Sequence, residues 1–182
     1  MQNYKTVAEE ATSEFIEKRS RFIAQVAPVK NEDEALAFLA SVRAKHREAR
    51  HNVYAYICRE NNISRYSDDG EPSGTAGLPV LNVLTRQGLT DVCVVVTRYF
   101  GGVLLGAGGL VRAYTKTAKI AVNAAGKSIK RVWSVLYIPC PYTFYERVKL
   151  LVAEFGGIIR ETEFGAEVEL EILFPEANTE PF

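Results

Sequence analysis

Glycine is concentrated in one part of this chain, and that concentration limits how the chain can fold. Nine of the 13 glycines fall within forty residues, at Gly70, Gly74, Gly77, Gly88, Gly101, Gly102, Gly106, Gly108 and Gly109. Glycine adopts positive φ without strain and lets the backbone approach a ligand or another segment closely. We therefore predict two glycine-rich turns, each leading into a helix whose N-terminal amides would suit an anion such as phosphate. Tight strand-to-helix turns without a ligand would use the same glycines.

The first part of the chain alternates between strand and helix patterns. Asn31 followed by Glu34 resembles a helix-capping box, and the apolar residues after it recur at helical spacing. Two further helices are predicted at residues 78–87 and 109–125, each followed by glycine. Short apolar runs predict strands at residues 15–16, 22–29, 53–58 and 91–100. We expect residues 1–133 to form one domain with sheet and helices in two layers.

From Ser134 the pattern restarts and predicts a second domain, residues 134–182. A strand at 135–140 precedes a helix that a capping box of Thr143 and Glu146 would begin. A hairpin at 158–164 and 166–174 follows, which gives the order βαββ. In the last strand apolar residues alternate with Glu167, Glu169 and Glu171, as expected for a sheet with one solvated face. These glutamates would protect a sheet edge or make an electrostatic contact.

The charge is unevenly divided between the two predicted domains. The whole chain has a formal net charge of +0. Residues 134–182 contain nine glutamates and three basic residues, net −6, so residues 1–133 contain 13 acidic and 19 basic residues, net +6. A polyanionic partner would therefore meet the first domain, although a solvated surface explains the same imbalance.

The compartment is predicted from what the sequence does not contain. No apolar run approaches the roughly 20 residues of a membrane-spanning helix, and the first residues do not resemble a signal peptide. The three cysteines lie in apolar runs and form no CxxC pair, which is typical of reduced core cysteines. We expect a soluble, cytoplasmic protein with no membrane partner.

The first glycine-rich turn contains three carboxylates, on Asp68, Asp69 and Glu71, followed by Thr75. They could bind a divalent cation or act as acid and base. Their spacing does not match an EF-hand, so the favoured role is structural, with the carboxylates accepting from turn and helix-start amides. No metal site is predicted.

The second glycine-rich turn, residues 97–114, is flanked by Arg98 and Arg112. It is not a Walker A loop, because no Gly-Lys-Ser/Thr follows. Two guanidinium groups beside backbone amides suit a phosphate or a carboxylate. Tyr99, Phe100 and Tyr114 could stack on a nucleic-acid base, but aromatic residues beside a buried strand more often belong to the core.

The two histidines, His46 and His51, are five residues apart and cannot share one helix face as a zinc pair. A basic run surrounds them, at Arg43, Lys45, Arg47 and Arg50. Placement at a helix C-terminus explains this run, and contact with RNA is the alternative.

Charge pairing predicts that the two turns converge on one groove. The carboxylates of the first turn have only Arg65 as a nearby basic residue, and Arg98 has no acidic residue in its own turn. An ion pair across a groove would give both the carboxylates and Arg98 a partner. Such a pair would stabilise the fold by about 1 kcal/mol or less if it is exposed. A separation of more than about 15 Å would instead make each turn a local connector.

Four segments together resemble a known family. Residues 67–77 (SDDGEPSGTAG) and 94–106 (VVVTRYFGGVLLG), supported by 18–22 (KRSRF) and 51–56 (HNVYAY), resemble the signatures of the IMPACT family in its bacterial YigZ/YvyE branch. The resemblance covers essentially the whole chain.

The resemblance implies an α+β fold with two domains. The first would be a two-layer α/β domain similar to domain IV of elongation factor G and to a small-subunit ribosomal protein. The second would be similar to the ferredoxin-like domain V of that factor. A ferredoxin-like domain needs βαββαβ, so a βαββ domain is expected to be truncated or completed by other surfaces.

The resemblance also implies a link to translation. Eukaryotic members are similar to translational regulators that restrain a starvation-sensing kinase by competing for its activator on ribosomes. That system is eukaryotic, so this chain would share only the general association with translation. The resemblance supplies no catalytic residues.

Three functions remain open. The leading hypothesis is a non-enzymatic, translation-associated binding module without a cofactor, in which Lys18, Arg21, His51, Arg98 and Arg112 contact RNA phosphate, the ribosome or a ribosome-associated protein. The alternative is a phosphate- or nucleotide-binding enzyme in which residues 101–109 hold phosphate and Asp68, Asp69 or Glu71 holds magnesium. The third is a protein-interaction module whose acidic second domain carries specificity. The full set of candidate binding residues is Lys18, Arg21, His51, Asp68, Asp69, Glu71, Thr75, Arg98, Tyr99, Gly101, Gly102, Gly106 and Arg112, and the sequence sets no oligomeric state.

Overall fold

A computed structural model describes residues 3–176, which form two compact units. The first unit is Tyr4–Ile129, and the second begins at Lys130 and includes Asn3. In chain order the elements up to residue 130 are β1 (Tyr4–Val7), β2 (Ala11–Glu17), β3 (Ser20–Pro28), α1 (Glu32–Lys45), β4 (His51–Cys58), β5 (Ile63–Ser67), α2 (Gly77–Arg86), β6 (Val92–Tyr99), α3 (Ala107–Ala124) and β7 (Lys127–Lys130).

The first unit is built on a five-stranded antiparallel sheet with the order β2-β3-β6-β4-β5. Its central strand, β6, pairs with β3 on one side and with β4 on the other. In this register Arg98 lies opposite Phe22 and opposite His51. The short strands β1 and β7 form a separate two-stranded sheet.

Helices cover both faces of the five-stranded sheet. On one face α2 and α3 pack on a core that includes Val92, Val94 and Val96. On the other face α1 packs on a smaller core that includes Cys93 and Val95. Because successive strand residues point to opposite faces, burial of both faces requires the continuous apolar run of β6. The predicted α+β class is confirmed, and α1 adds helical cover on the second face.

The N-terminus of α1 is capped as its sequence predicts. The Asn31 side chain accepts a hydrogen bond from the Glu34 amide at 2.9 Å, and the Glu34 carboxylate accepts from the Lys30 amide at 2.8 Å. Three acidic residues occupy the first turn and two basic residues the last, which complements the helix dipole.

The second unit contains β8 (Trp133–Cys140), α4 (Tyr145–Glu154), β9 (Ile158–Phe164) and β10 (Val168–Pro175). Its antiparallel sheet has the order β8-β10-β9, and α4 packs on one face over a core that includes Val152 and Phe174. The βαββ order is therefore confirmed. Residues 177–182, where the expectation of an incomplete domain falls, lie outside the described residues.

Two predictions for this second unit are wrong. Thr143 does not cap α4, because residues 142–144 form a short 3-10 turn and the helix begins one residue later with no side-chain cap. The glutamates of β10 do not protect a sheet edge, because β10 is the central strand.

Several features concern the chain as a whole. Cys58, Cys93 and Cys140 are buried free thiols, and burial raises the pKa of Cys58 to about 11 and that of Cys93 to about 12. Within residues 3–176 we find no helix of sufficient length and apolar character to traverse a bilayer.

Candidate functional site

The two glycine-rich turns meet at the end of β6 through a buried ion pair. Arg98 Nη1 donates to Glu71 Oε1 at 2.8 Å and to Glu71 Oε2 at 3.1 Å. The two side chains are only 6% and 4% exposed. The predicted convergence is confirmed for Glu71, but the pair is buried and not exposed, so it is more than a weak surface contact.

Side chains from two other elements form hydrogen bonds with this ion pair. Tyr114, on α3, donates its hydroxyl to Glu71 Oε1 at 2.7 Å. Ser20, at the start of β3, accepts from Arg98 Nη2 at 3.3 Å and from the Gly101 amide at 3.3 Å. Burial, together with the Glu71 carboxylate, raises the pKa of Tyr114 well above its usual range. Tyr114 is therefore a hydrogen-bond donor inside the domain and is not exposed for base stacking.

Asp68 organises the first turn. Its Oδ2 accepts from the Gly74 amide at 2.8 Å, and its Oδ1 accepts from the amides of Ala76 and Gly77 at 3.0 and 2.8 Å. The carboxylate thus occupies the N-terminus of α2, where an external anion would otherwise bind. The structural role predicted for this carboxylate is confirmed. Thr75, which is buried, donates its hydroxyl to the Pro72 carbonyl in the same turn.

Asp69 joins the turn to β4 and α1. Its Oδ2 accepts from the Asn52 amide at 2.7 Å, and its Oδ1 pairs with Arg43 Nη2 at 2.8 Å. Its backbone carbonyl lies 2.8 Å from His51 Nδ1, which donates to it. His51 is thereby held with its ring at the sheet end, half-buried.

A second polar cluster lies on the α1 face of the sheet. His46 Nδ1 is 2.9 Å from the Tyr99 hydroxyl, and His46 Nε2 is 3.2 Å from Gln25 Nε2. Burial, with smaller contributions from Arg21 and Lys45, lowers the pKa of His46 below its ordinary 6.5. A lowered pKa favours the neutral ring, in which one nitrogen donates and the other accepts in these two contacts. The Tyr99 hydroxyl is therefore hydrogen-bonded to His46.

The remaining candidate residues are exposed around the second turn. Lys18 lies in the tight turn between β2 and β3, and Arg112 lies in the second turn of α3. Arg21 is exposed but pairs with Glu14 at 2.8 Å. Gly102 and Gly106 have positive φ values of 81° and 73°, which glycine adopts without strain.

Residues 100–106, which we call the glycine loop, separate two grooves. The β4–β6 groove has a volume of about 680 Å³ and is lined by Glu48, Ala49, Arg50, His51, Arg98, Tyr99, Phe100 and Leu104. The α3 groove has a volume of about 220 Å³ and is lined by Phe15, Glu17, Lys18, Leu105, Gly109, Arg112, Ala113 and Lys116. Adjacent leucines of the loop therefore face different grooves.

The glycine loop projects apolar side chains between basic ones. Leu104 is 82% exposed and Phe100 is 54% exposed. The guanidinium of Arg98 lies 5.5 Å from the Phe100 ring centroid, beneath the loop. Arg50 borders the loop in one groove, and Lys18, Arg112 and Lys116 border it in the other.

The carboxylates of the first turn have protein partners. Asp68 accepts from three amides, Asp69 pairs with Arg43, and Glu71 pairs with Arg98. These contacts occupy the oxygens that magnesium would need in the enzyme hypothesis. Among residues 3–176 no group of three or more His, Cys, Asp or Glu side chains is arranged to hold a metal ion.

Ser20, Asn52 and Thr97 lie within segments that the sequence analysis quoted, but none of them was a candidate site residue. Thr97 donates its hydroxyl to Asn52 Oδ1 at 2.8 Å, between neighbouring strands and out of contact with water. A polar pair at the end of two apolar strands was a usable signal, because buried polar side chains need partners. Ser20 lies in the segment 18–22, but no residue near it in the sequence indicates that its hydroxyl accepts from Arg98 and from the Gly101 amide.

Comparison with known proteins places both parts of the chain. Residues 18–122 match the Impact N-terminal domain, and residues 138–182 match a domain of unknown function, DUF1949. The chain is 38% identical to the IMPACT family member YvyE of Bacillus subtilis (strain 168), over 100% of this chain and 84% of that protein. It is 36% identical to the IMPACT family member YigZ of Escherichia coli (strain K12), over 91% of this chain and 82% of that protein.

A solved structure has the same fold. The crystal structure of a hypothetical protein superimposes with a TM-score of 0.69 at 34% identity, covering 100% of this chain and 89% of that one. The similarity concerns the fold.

Proposed function

Since this chain belongs to the IMPACT family, we propose that it is a translation-associated binding protein whose first unit contacts RNA through the glycine loop and the two grooves beside it. The link to translation comes from the family resemblance. The choice of RNA comes from the exposed apolar loop, which is bordered by Arg50 on one side and by Lys18, Arg112 and Lys116 on the other, and this is the observation that carries the proposal.

Each part of this surface has a distinct task in the proposal. Lys18, Arg50 and Arg112 contact phosphates, which supplies affinity that falls as salt rises. Phe100 stacks on an unpaired base, as aromatic side chains do in proteins that bind single-stranded RNA. The two kinds of contact together favour an RNA loop or junction over a uniform duplex.

The buried residues serve this surface indirectly. Arg98 and Glu71 are buried and paired with each other, so we assign them a supporting role at this surface. Their pair joins the start of the glycine loop to the first turn, and Ser20 joins the loop to the β2–β3 turn through the Gly101 amide. The loop is thus held in place before RNA binds, which reduces the entropy lost on binding.

The test measures binding of the purified chain to an RNA hairpin with a single-stranded loop, and its co-sedimentation with ribosomes, at several salt concentrations. We expect Lys18→Ala, Arg50→Ala and Arg112→Ala, combined, to weaken binding at low salt and to flatten the dependence of log K on log salt by about two to three. Phe100→Ala should weaken binding about 5- to 150-fold with little change in the salt dependence.

Matched controls separate a specific surface from bulk charge. Arg86→Ala, Lys119→Ala and Lys127→Ala remove the same charge from a different groove, between α2 and α3. Tyr66→Ala removes an exposed aromatic residue from β5. An equal loss of RNA binding in the two triple charge variants would contradict the proposed surface. Co-sedimentation that depends on ribosomal protein and not on RNA would also contradict it.

A further inference from the structure

The second unit leaves one face of its sheet uncovered. Residues 168, 170, 172 and 174 of β10 point into the core beneath α4. The alternate residues, Glu169, Glu171 and Leu173, point to the opposite face, which no described element of this unit covers. We call this second face the open face.

The open face carries opposed like charges. Glu169 lies directly opposite Glu163, and Glu171 lies directly opposite Glu161. Arg160 pairs with Glu171 at 2.9 Å, whereas no basic side chain among residues 3–176 pairs with Glu161, Glu163 or Glu169. Like charges directly opposite each other destabilise a sheet, so this arrangement lowers the stability of the free protein.

An apolar strip runs beside the glutamates on β8. In the observed register Pro139 lies opposite Glu169, Tyr137 opposite Glu171, and Val135 opposite Leu173. Tyr137 is 76% exposed. A cleft of about 280 Å³ lies where the strip meets the glutamates. The open face therefore offers an apolar anchor site next to a negative surface.

We propose that the open face binds an extended, lysine- or arginine-rich segment of a partner protein. Charge complementarity selects the partner, because Glu161, Glu163 and Glu169 would gain the cations that the described chain does not supply and would repel a nucleic acid. Glu161 and Glu163, like Glu169 and Glu171, are two residues apart along a strand, or about 7 Å. Basic residues at alternate positions of an extended segment have the same spacing, and an apolar residue of the segment packs on Tyr137.

This proposal is independent of the proposed RNA contact. It concerns residues of the second unit alone, and the two surfaces have opposite charge. Failure of one therefore leaves the other intact, and each can be tested in the full chain.

The test uses a synthetic peptide of alternating lysine and valine, titrated into the full-length chain by calorimetry. A peptide of the same composition with its lysines in one block is the comparison. We expect the alternating peptide to bind more tightly, and the combined change Glu163→Gln and Glu169→Gln to weaken its binding at least about tenfold. Tyr137→Ala should also weaken binding, with little change in salt dependence.

Folding and charge controls keep the result interpretable. The Glu163→Gln, Glu169→Gln variant should have a higher Tm than the unmodified chain, because the opposed charges are removed. The combined change Glu146→Gln and Glu154→Gln removes equal charge from α4 and should leave peptide binding within about twofold. Equal weakening by this control, or equal binding of both peptides, would overturn the proposal.

A second copy of the chain is the competing occupant. Sedimentation of the protein alone at several concentrations tests it. A monomer supports a separate partner protein. Self-association that disappears in the Glu163→Gln, Glu169→Gln variant would overturn the proposal, because the open face would then be occupied by another copy of this chain.

Discussion

Arg98 and Glu71 form a buried ion pair between residues that lie 27 positions apart, and this pair fastens the two glycine-rich turns together. The carboxylate also accepts a hydrogen bond from Tyr114, and the guanidinium donates one to Ser20. The ion pair therefore connects the first turn, β6, α3 and the start of β3. Removing one charge leaves the other buried without its counter-charge, which is costlier than removing both.

Glu71→Gln and Arg98→Met should therefore each lower the free energy of unfolding, by about 3–5 kcal/mol. In the double variant the free energy of unfolding should fall by clearly less than the sum of the decreases in the two single variants. Denaturant unfolding at neutral pH measures all three values. Glu14→Gln is the matched control, because Glu14 pairs with Arg21 on an exposed surface. Additive losses in the double variant would show that the pair is not coupled.

Asp68→Ala should lower the free energy of unfolding by about 1–3 kcal/mol, because the amides of Gly74, Ala76 and Gly77 lose their acceptor. Asp68→Asn retains one acceptor oxygen and should lose less. Limited proteolysis should show faster cleavage within residues 70–76 in the alanine variant. Ser73→Ala, an exposed substitution in the same turn, is the control and should change neither measurement.

Gly101 and Gly102 are neighbours with different structural demands. A side chain at Gly101 would overlap the backbone carbonyl of Arg19, whereas one at Gly102 would meet nothing within 4 Å. Gly102→Ala should cost about 1–2 kcal/mol, from left-handed strain alone. Gly101→Ala should cost more, about 3 kcal/mol or above, because the β2–β3 turn must move. Thermal and denaturant unfolding compare the two, and the reverse order would contradict this packing.

His46 should make the stability depend on pH. Its folded pKa lies below the unfolded value of 6.5, so below pH 6.5 the unfolded chain binds a proton that the folded chain does not. The stabilisation is complete above pH 6.5 and falls as pH decreases towards the folded pKa, by at most about 1.4 kcal/mol per pH unit. Unfolding of the unmodified chain and of His46→Gln between about pH 5 and 8 isolates this contribution. Parallel curves for the two proteins would exclude it.

The periodicity of apolar residues was sufficient to predict the helices and strands that form the cores. The strands β3, β4 and β6 and the four helices were predicted because each buries an apolar stripe that the sequence displays. The strands β1, β5 and β7 were missed because they are short and lie outside the centre of the large sheet. β5, for example, has the sequence ISRYS and is mostly exposed, so it has no apolar alternation.

The proximity of the two turns was predictable from charge pairing, but the burial of the pair was not. Burial depends on Tyr114, which reaches Glu71 from α3, and on Ser20, which belongs to a distant turn. Neither residue carries a charge that pairing could detect. The favoured interpretation, that an aromatic residue here belongs to the core, is confirmed for Tyr114, but its hydrogen bond to Glu71 was not indicated by the sequence.

The strand order β2-β3-β6-β4-β5 has a consequence for how the first unit folds. The hairpins β2–β3 and β4–β5 are each local in sequence and can form as the chain emerges. Their inner edges stay unpaired until β6, the last of the five strands to be synthesised, inserts between them and joins them. This strand also carries the valines of both cores, so folding is slow to begin and then cooperative. Until then two open edges compete for other strands, and substitutions that delay β6 would promote aggregation.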